Sequence, residues 1–86
     1  MTAYVKFANR CWWDSFRTEY IDQCATLSEA VRTAAHWIRD ESEHFTYDRI
    51  TITTADGMVV REWVWETLDP DSKPMWVPQE KWNVPN

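Results

Sequence analysis

Glycine is almost absent from this chain, which has a single glycine, Gly57, among its 86 residues. Loops that cradle phosphates need several closely spaced glycines, so a nucleotide-binding loop of that kind is excluded. Cysteine is also scarce, and neither Cys11 nor Cys24 belongs to a CxxC pair or to a Cys/His spacing typical of a metal site. We expect two free thiols in a reducing compartment, with one bridge between neighbouring strands as the alternative.

Long apolar runs are missing as well. No stretch approaches the roughly 18 apolar residues of a membrane span, so no membrane association is expected. The first eight residues include Lys6 and lack the apolar core of a secretory signal. These absences predict a cytoplasmic protein, and the length of 86 residues predicts a single domain.

Candidate catalytic groups are few and poorly spaced. His36 and His44 could bind a metal with Cys24, but the spacing is also that of two surface histidines. Glu62 and Glu66 fall on one face of a predicted strand, where two solvated side chains are the simpler interpretation than a catalytic pair. The sequence therefore predicts a protein that is not an enzyme and has no metal and no cofactor.

Acidic side chains dominate the charge. Fourteen Asp and Glu residues against nine Lys and Arg residues give a formal net charge of −5, and the pI is about 4.8. This balance opposes binding to a phosphate backbone, so no direct nucleic-acid contact is expected. Lys6, Arg10 and Arg17 lie close in sequence to Trp12 and Trp13, which keeps a module that stacks single-stranded bases as a less favoured alternative.

A capped amphipathic helix is the clearest local signal. Thr26-Leu27-Ser28-Glu29 has the spacing of a capping box, in which the Thr26 hydroxyl accepts from the Glu29 N–H and the Glu29 carboxylate reaches back to the Thr26 N–H. Apolar residues then recur at helical spacing and predict one buried stripe: Leu27, Ala30, Val31, Ala34, Trp37 and Ile38.

A β-hairpin is predicted after the helix. Residues 47–54 and 58–65 both read as strands, and Asp56-Gly57 between them is a strong hairpin signal. Two registers are open. A plain two-residue turn places Trp63 on the face of Ile50 and Ile52, whereas a bulged turn places Val60 and Val64 there. We favour the bulged form, which leaves Trp63 and Trp65 on the outer face.

Two further strands are expected before the helix, at residues 3–8 and about 16–25. The last 17 residues contain all four prolines, so residues 67–86 are predicted to form an extended tail that wraps the domain of residues 1–66. Residues 75–77 could add an edge strand. The predicted fold is thus α+β: an antiparallel sheet of four to five strands packed on one helix, in the order β-β-α-β-β.

Acidic residues gather at two places in this arrangement. One group surrounds the turn from the helix to the third strand, and a second site begins the tail: Asp40, Glu41, Glu43 and Asp48, then Asp69 and Asp71. Tryptophans at the rim of such a surface are typical of binding interfaces, where aromatic residues dominate the energy. Charge and aromatics together favour a module whose partner is a protein.

The order strand, strand, capped helix, strand, Asp-Gly turn, strand in a small acidic chain resembles the phage-encoded anti-CRISPR proteins that bind type I interference complexes. The resemblance covers residues 3–65. The second strand running into Leu27-Ser28-Glu29-Ala30 and the hairpin from Tyr47 to Val60 carry it, whereas the Pro/Trp-rich tail from Leu68 onward has no counterpart.

The resemblance implies a non-enzymatic inhibitor in the cytoplasm of a bacterial host. As a mimic of DNA, its acidic surface would occupy the Lys/Arg-lined DNA-entry groove of the surveillance complex, on a DNA-binding subunit, and block target binding. The partner-binding residues would be four acids and three candidate apolar anchors: Asp40, Glu41, Glu43 and Asp48, with Trp63, Trp65 and Trp76.

The oligomeric state of such an inhibitor could be a monomer or a homodimer. The alternative function is a small homodimeric structural or regulatory phage protein that pairs exposed strand edges or tryptophan faces. In that case the acidic residues would serve solubility alone.

Overall fold

The computed structural model describes residues 2–12, 15–40 and 47–79. They form an antiparallel sheet of five strands in the order β2-β1-β3-β4-β5, with one helix on one face. The elements are β1 (Ala3–Trp12), β2 (Ser15–Cys24), α1 (Leu27–Arg39), β3 (Arg49–Thr54), β4 (Val59–Glu66) and β5 (Met75–Pro78). The predicted α+β class and the order of its elements are confirmed, and the segment predicted as a tail supplies the fifth strand.

The N-terminal hairpin is longer than predicted, because β1 continues to Trp12 and β2 starts at Ser15. Its register shifts near the tip, between Arg10 and Trp12, and also in the middle, where Phe7 pairs with Tyr20 but Ala8 pairs with Thr18, so that Glu19 is an extra residue. Such a bulge changes which face the following side chains occupy. Thr18 therefore shares a face with Ala8, while Tyr20 shares the opposite face with Phe7.

The helix begins as the capping box predicts. The Glu29 N–H donates to Thr26 Oγ1 at 3.1 Å, and the Glu29 carboxylate accepts from the N–H of Ala25 at 2.9 Å, one residue before the predicted partner. Of the predicted stripe, Ala30 and Ala34 are fully buried, and Trp37 and Ile38 are half-buried. Leu27 and Val31 lie at the margin, with exposures of 38% and 36%.

The core lies between α1 and the face of the sheet that α1 covers, here called the helix face. Phe7 is fully buried at its centre, and its ring centroid lies 5.0 Å from that of Trp37 and 5.1 Å from that of Tyr47. Ile50 and Ile52 complete it from β3. Aromatic packing of this kind supplies much of the apolar burial available to a chain of this length.

The β3–β4 hairpin contains the predicted bulge but not the predicted faces. Thr53 pairs with Val59 and Ile52 with Arg61, which leaves Val60 as the extra residue. Next to the turn, the pairing is shifted by one residue from that of a plain two-residue turn, and the bulge at Val60 cancels this shift. Beyond the bulge, β3 and β4 therefore have the register of a plain two-residue turn, and Trp63 pairs with Ile50. The predicted outer-face position of Trp63 and Trp65 is therefore wrong, because both pack against the core.

The turn itself depends on the single glycine. Gly57 has φ of +91°, in the region that residues with a Cβ rarely adopt. The Gly57 N–H donates to the Thr54 carbonyl at 3.0 Å, and the Thr54 N–H donates to the Met58 carbonyl at 2.9 Å. The Asp-Gly signal thus locates the turn correctly.

Both cysteines are free thiols, as expected. Cys11 is exposed near the tip of the N-terminal hairpin, whereas Cys24 is buried at the far end of β2. Burial raises the pKa of the Cys24 thiol. In the described part of the chain, no helix is long and apolar enough to cross a membrane.

Candidate functional site

The fold brings the two predicted acidic sites to one end of the sheet. Asp40 follows the last residue of α1, and Asp48 precedes β3, whose start lies beside the end of β4. The Asp48 carbonyl accepts a hydrogen bond from the Trp65 N–H at 2.8 Å, so the acids that follow β4 lie at the same end. We call this set the acidic end: Asp40, Asp48, Glu66, Asp69 and Asp71.

Asp40 and Asp48 differ in how firmly they are held. Asp40 is exposed, and its backbone N–H caps α1 by donating to the His36 carbonyl at 3.0 Å. Asp48 is half-buried and accepts from the Arg10 N–H at 2.9 Å, while its own N–H donates to the Ala8 carbonyl at 2.8 Å. Asp48 therefore ties β1 to the start of β3 as well as contributing charge. The other two predicted acids, Glu41 and Glu43, lie outside the described residues.

The acids after β4 occupy an ordered turn. Asp69 Oδ1 accepts from the Asp71 N–H at 2.9 Å, and the Asp69 carbonyl accepts from the Ser72 N–H at 3.0 Å. Side chains with this hydrogen-bonding pattern favour a fixed turn. Asp69 and Asp71 are both exposed, so the turn presents two carboxylates in a defined geometry.

The predicted tryptophan anchors lie on the helix face. Trp76 is only 7% exposed, and its ring meets that of Trp65 edge to face with centroids 5.4 Å apart. Trp76 is thus a core residue and has little surface to offer a partner. Trp63 and Trp65 are half-buried and keep part of their surface accessible. A different tryptophan, Trp12, is 70% exposed near the hairpin tip.

The opposite face of the sheet, here called the open face, carries a polar cluster that the sequence did not reveal. Glu62 was predicted to be solvated, but it is 8% exposed. Its Oε2 accepts from Thr51 Oγ1 at 3.0 Å and lies 3.5 Å from Arg49 Nε. The Arg49 guanidinium in turn lies 4.4 Å from the centroid of the Phe16 ring, a cation–π contact. An alternating strand pattern cannot distinguish such a buried carboxylate from a solvated one.

The described residues do not assemble a metal site, since no three His, Cys, Asp or Glu side chains among them come together. On the open face, strand pairing places the rings of Tyr4 and Phe16. Phe16 is already occupied by the guanidinium groups of Arg10 and Arg49.

Comparison with known proteins adds no family to this description. No protein-family model matches the chain. Neither a curated protein nor a solved structure matches it.

Proposed function

We propose that this protein is a non-enzymatic inhibitor that binds a type I CRISPR surveillance complex in the cytoplasm of a bacterial host and blocks its binding to target DNA. The observation that carries the proposal is the acidic end, where two stretches distant in sequence bring acidic residues to the same end of the sheet. The order of the first five elements, which resembles that of anti-CRISPR proteins, supplies the partner.

The acidic end suits a groove lined by Lys and Arg. Asp40, Asp69 and Asp71 are exposed, so their charges can reach a basic surface without first breaking the fold. Complementary charge of this kind raises association rates and is weakened by salt. The half-buried Trp63 and Trp65 could add apolar contact at the side of the interface.

The test is a binding experiment with purified type I complexes at about 50 mM and about 500 mM salt, concentrations that span a large change in screening. The informative variant reverses two exposed acids, Asp40→Lys with Asp71→Lys. Each keeps its backbone hydrogen bonds, because those use main-chain atoms. We expect at least about a tenfold loss of affinity at low salt, since close charge pairs across interfaces are worth that much or more.

A matched control reverses two acids on β2, away from the acidic end: Glu19→Lys with Asp22→Lys. It changes the net charge by the same amount, and the exposed ion pair of Glu19 with Arg17 that it breaks should contribute little to stability. It therefore isolates position from total charge. Equal losses in the two double variants would show that net charge and not the acidic end matters. Failure of the unmodified protein to bind intact complexes would overturn the proposal itself.

A second candidate function, a homodimeric structural or regulatory protein, is favoured by one observation. The outer edge of β2 is ten residues long and has no partner strand among the described residues. Long free edges of this kind can pair with another chain. Sedimentation at several concentrations distinguishes the two candidates, because a dimer at all concentrations favours strand pairing and a monomer favours a binder of another protein.

A further inference from the structure

A concavity of about 300 Å³ lies on the open face of the sheet. Its floor includes Ala8, which pairs with Thr18 of β2 on one side and with Arg49 of β3 on the other. Lys6 lies two residues before Ala8 on the same face, and Glu62 closes the far side from β4. The small Ala8 side chain leaves room between larger polar neighbours, which is why the sheet is hollow at this point.

The positive and negative charges around this concavity do not balance. Glu62 is engaged by Arg49 and by the Thr51 hydroxyl, so its negative charge is compensated within the wall. Within residues 2–12, 15–40 and 47–79, the Lys6 ammonium has neither an ion pair nor a hydrogen bond. The lining therefore carries one unmatched positive charge, in a protein whose net charge is −5.

Arg49 is held in position by more than its ion pair. Its guanidinium lies against the Phe16 ring, and its side chain is 28% exposed. Since the stacked, paired group has little freedom left to lose, binding of a further acceptor to its outer N–H groups costs little conformational entropy. Arg49 and Lys6 are diagonal neighbours on adjacent strands, a separation that long side chains can bridge.

We propose that this concavity binds a carboxylate, which would accept from the Lys6 ammonium, the Arg49 guanidinium and the Thr18 hydroxyl. A single negative charge matches the single unmatched positive charge of the lining. A dianionic phosphate would bring a second negative charge for which the lining has no matching positive charge. The planar guanidinium also matches the planar geometry of a carboxylate.

The carboxylate could belong to a small molecule or to an Asp or Glu side chain of another protein. The site lies on the open face rather than at the acidic end, so it does not rest on the proposed inhibition of CRISPR complexes. Experiments can therefore disprove carboxylate binding without disproving CRISPR inhibition, and the reverse is also true.

The test is an NMR titration of the ¹⁵N-labelled protein with acetate, with a capped Gly-Asp-Gly peptide, with inorganic phosphate and with chloride, at constant ionic strength. We expect saturable shifts for acetate and the peptide at the amides of residues that line the concavity: Lys6, Ala8, Thr18, Arg49 and Thr51. Comparable affinity for acetate and the peptide would indicate a small-molecule carboxylate. At least tenfold tighter binding of the peptide would indicate an acidic protein segment.

The variant Lys6→Met removes the unmatched charge and keeps most of the side-chain volume. We expect it to weaken carboxylate binding by about tenfold or more, the value of a lost charge-assisted hydrogen bond. Lys73→Met is the matched control, because it removes the same charge from an exposed residue outside the lining. Retained amide shift dispersion in both variants would show that each still folds.

Four results would overturn the proposal. One is a response to chloride equal to that to acetate, and another is tighter binding of phosphate than of acetate. The third is unchanged binding in Lys6→Met. The fourth is a lack of saturable shifts with both acetate and the peptide.

Discussion

The Thr51 hydroxyl donates a hydrogen bond to the Glu62 carboxylate at 3.0 Å, across the β3–β4 pair and on the face of the sheet opposite α1. Arg49 Nε lies 3.5 Å from the same carboxylate oxygen. A buried carboxylate is tolerated in a sheet when neighbouring groups replace the water that it has lost. Here the Thr51 hydroxyl supplies a hydrogen bond and the Arg49 guanidinium supplies the opposite charge, and both residues belong to β3.

Removal of the Glu62 carboxylate should lower the free energy of unfolding. In Glu62→Ala, Arg49 loses its partner and Thr51 its acceptor. We expect a decrease of about 2 kcal/mol in the free energy of unfolding, at the lower end for a broken buried pair because Arg49 keeps contact with water. Glu62→Gln keeps an acceptor for Thr51 and should cost about half as much. Urea denaturation measures both, and Glu66→Ala on the same strand, which should stay within about 0.5 kcal/mol, is the control.

The contribution of β5 to the core can be tested at Trp76. We expect Trp76→Ala to lower the free energy of unfolding by about 3–5 kcal/mol, because a large buried ring is replaced by a cavity. For a domain of this size that corresponds to a fall in Tm of well over about 10 °C. Met75→Ala removes an exposed neighbour on the same strand and should change Tm little. Similar small effects of both variants would show that β5 is not part of the cooperative core.

The helix cap gives a smaller and well-defined effect. Thr26→Ala removes the acceptor of the Glu29 N–H and should destabilise the protein by about 1 kcal/mol. Thr26→Ser keeps the hydroxyl and should recover most of that loss. Ser28 is exposed and lies two residues after Thr26, so Ser28→Ala serves as the control for substitution in the first turn of α1. Thermal unfolding monitored by circular dichroism measures these effects. Equal Tm values for Thr26→Ser and Thr26→Ala would contradict the capping role of the hydroxyl.

Acid unfolding should report on the β3–β4 turn. Hydrogen bonds from the Thr54 hydroxyl and the Met58 backbone lower the pKa of Asp56 below its ordinary value of 3.8. A lowered pKa in the folded state means that ionised Asp56 stabilises the fold above pH 3.8 and that this contribution disappears as the pH falls through the lowered pKa. The difference in stability between the wild type and Asp56→Asn should therefore be constant near neutral pH and shrink below about pH 4.

The control for this pH effect is the Thr54→Val background. Without the hydroxyl donor, the pKa of Asp56 should return toward its ordinary value, and the pH-dependent part of the difference should decrease. Urea denaturation across the acid range measures all four proteins. A difference that stays constant down to pH 2 would contradict the predicted linkage.

Local signals predicted the parts of this fold that depend on residues near in sequence. The Thr26–Glu29 spacing located the helix, and Asp56-Gly57 located the turn, since each feature is fixed by hydrogen bonds within a few residues. The face occupied by Trp63 was predicted wrongly. That outcome depends on two irregularities that cancel, a one-residue shift at the turn and the bulge at Val60, and a sequence pattern reveals neither separately.

The candidate sites depend on which strands become neighbours, and periodicity carries no information on that point. The two acidic groups were predicted from composition, but their convergence follows from the pairing of β3 with β4. The open-face concavity could not be predicted, because Lys6, Thr18 and Arg49 meet around Ala8 only when β1 lies between β2 and β3. Glu62 likewise had the appearance of an ordinary solvated strand residue.

The position of β1 between β2 and β3 also has a kinetic consequence. Three of the four strand pairings in the described sheet join neighbours in sequence, β1–β2, β3–β4 and β4–β5, but β1 and β3 are joined by pairs such as Ala8 with Arg49. Closing a loop of about 40 residues costs conformational entropy before those contacts form, and such non-local pairing slows folding. We expect each hairpin to form early and the docking of the two halves of the chain along the β1–β3 seam to limit the folding rate.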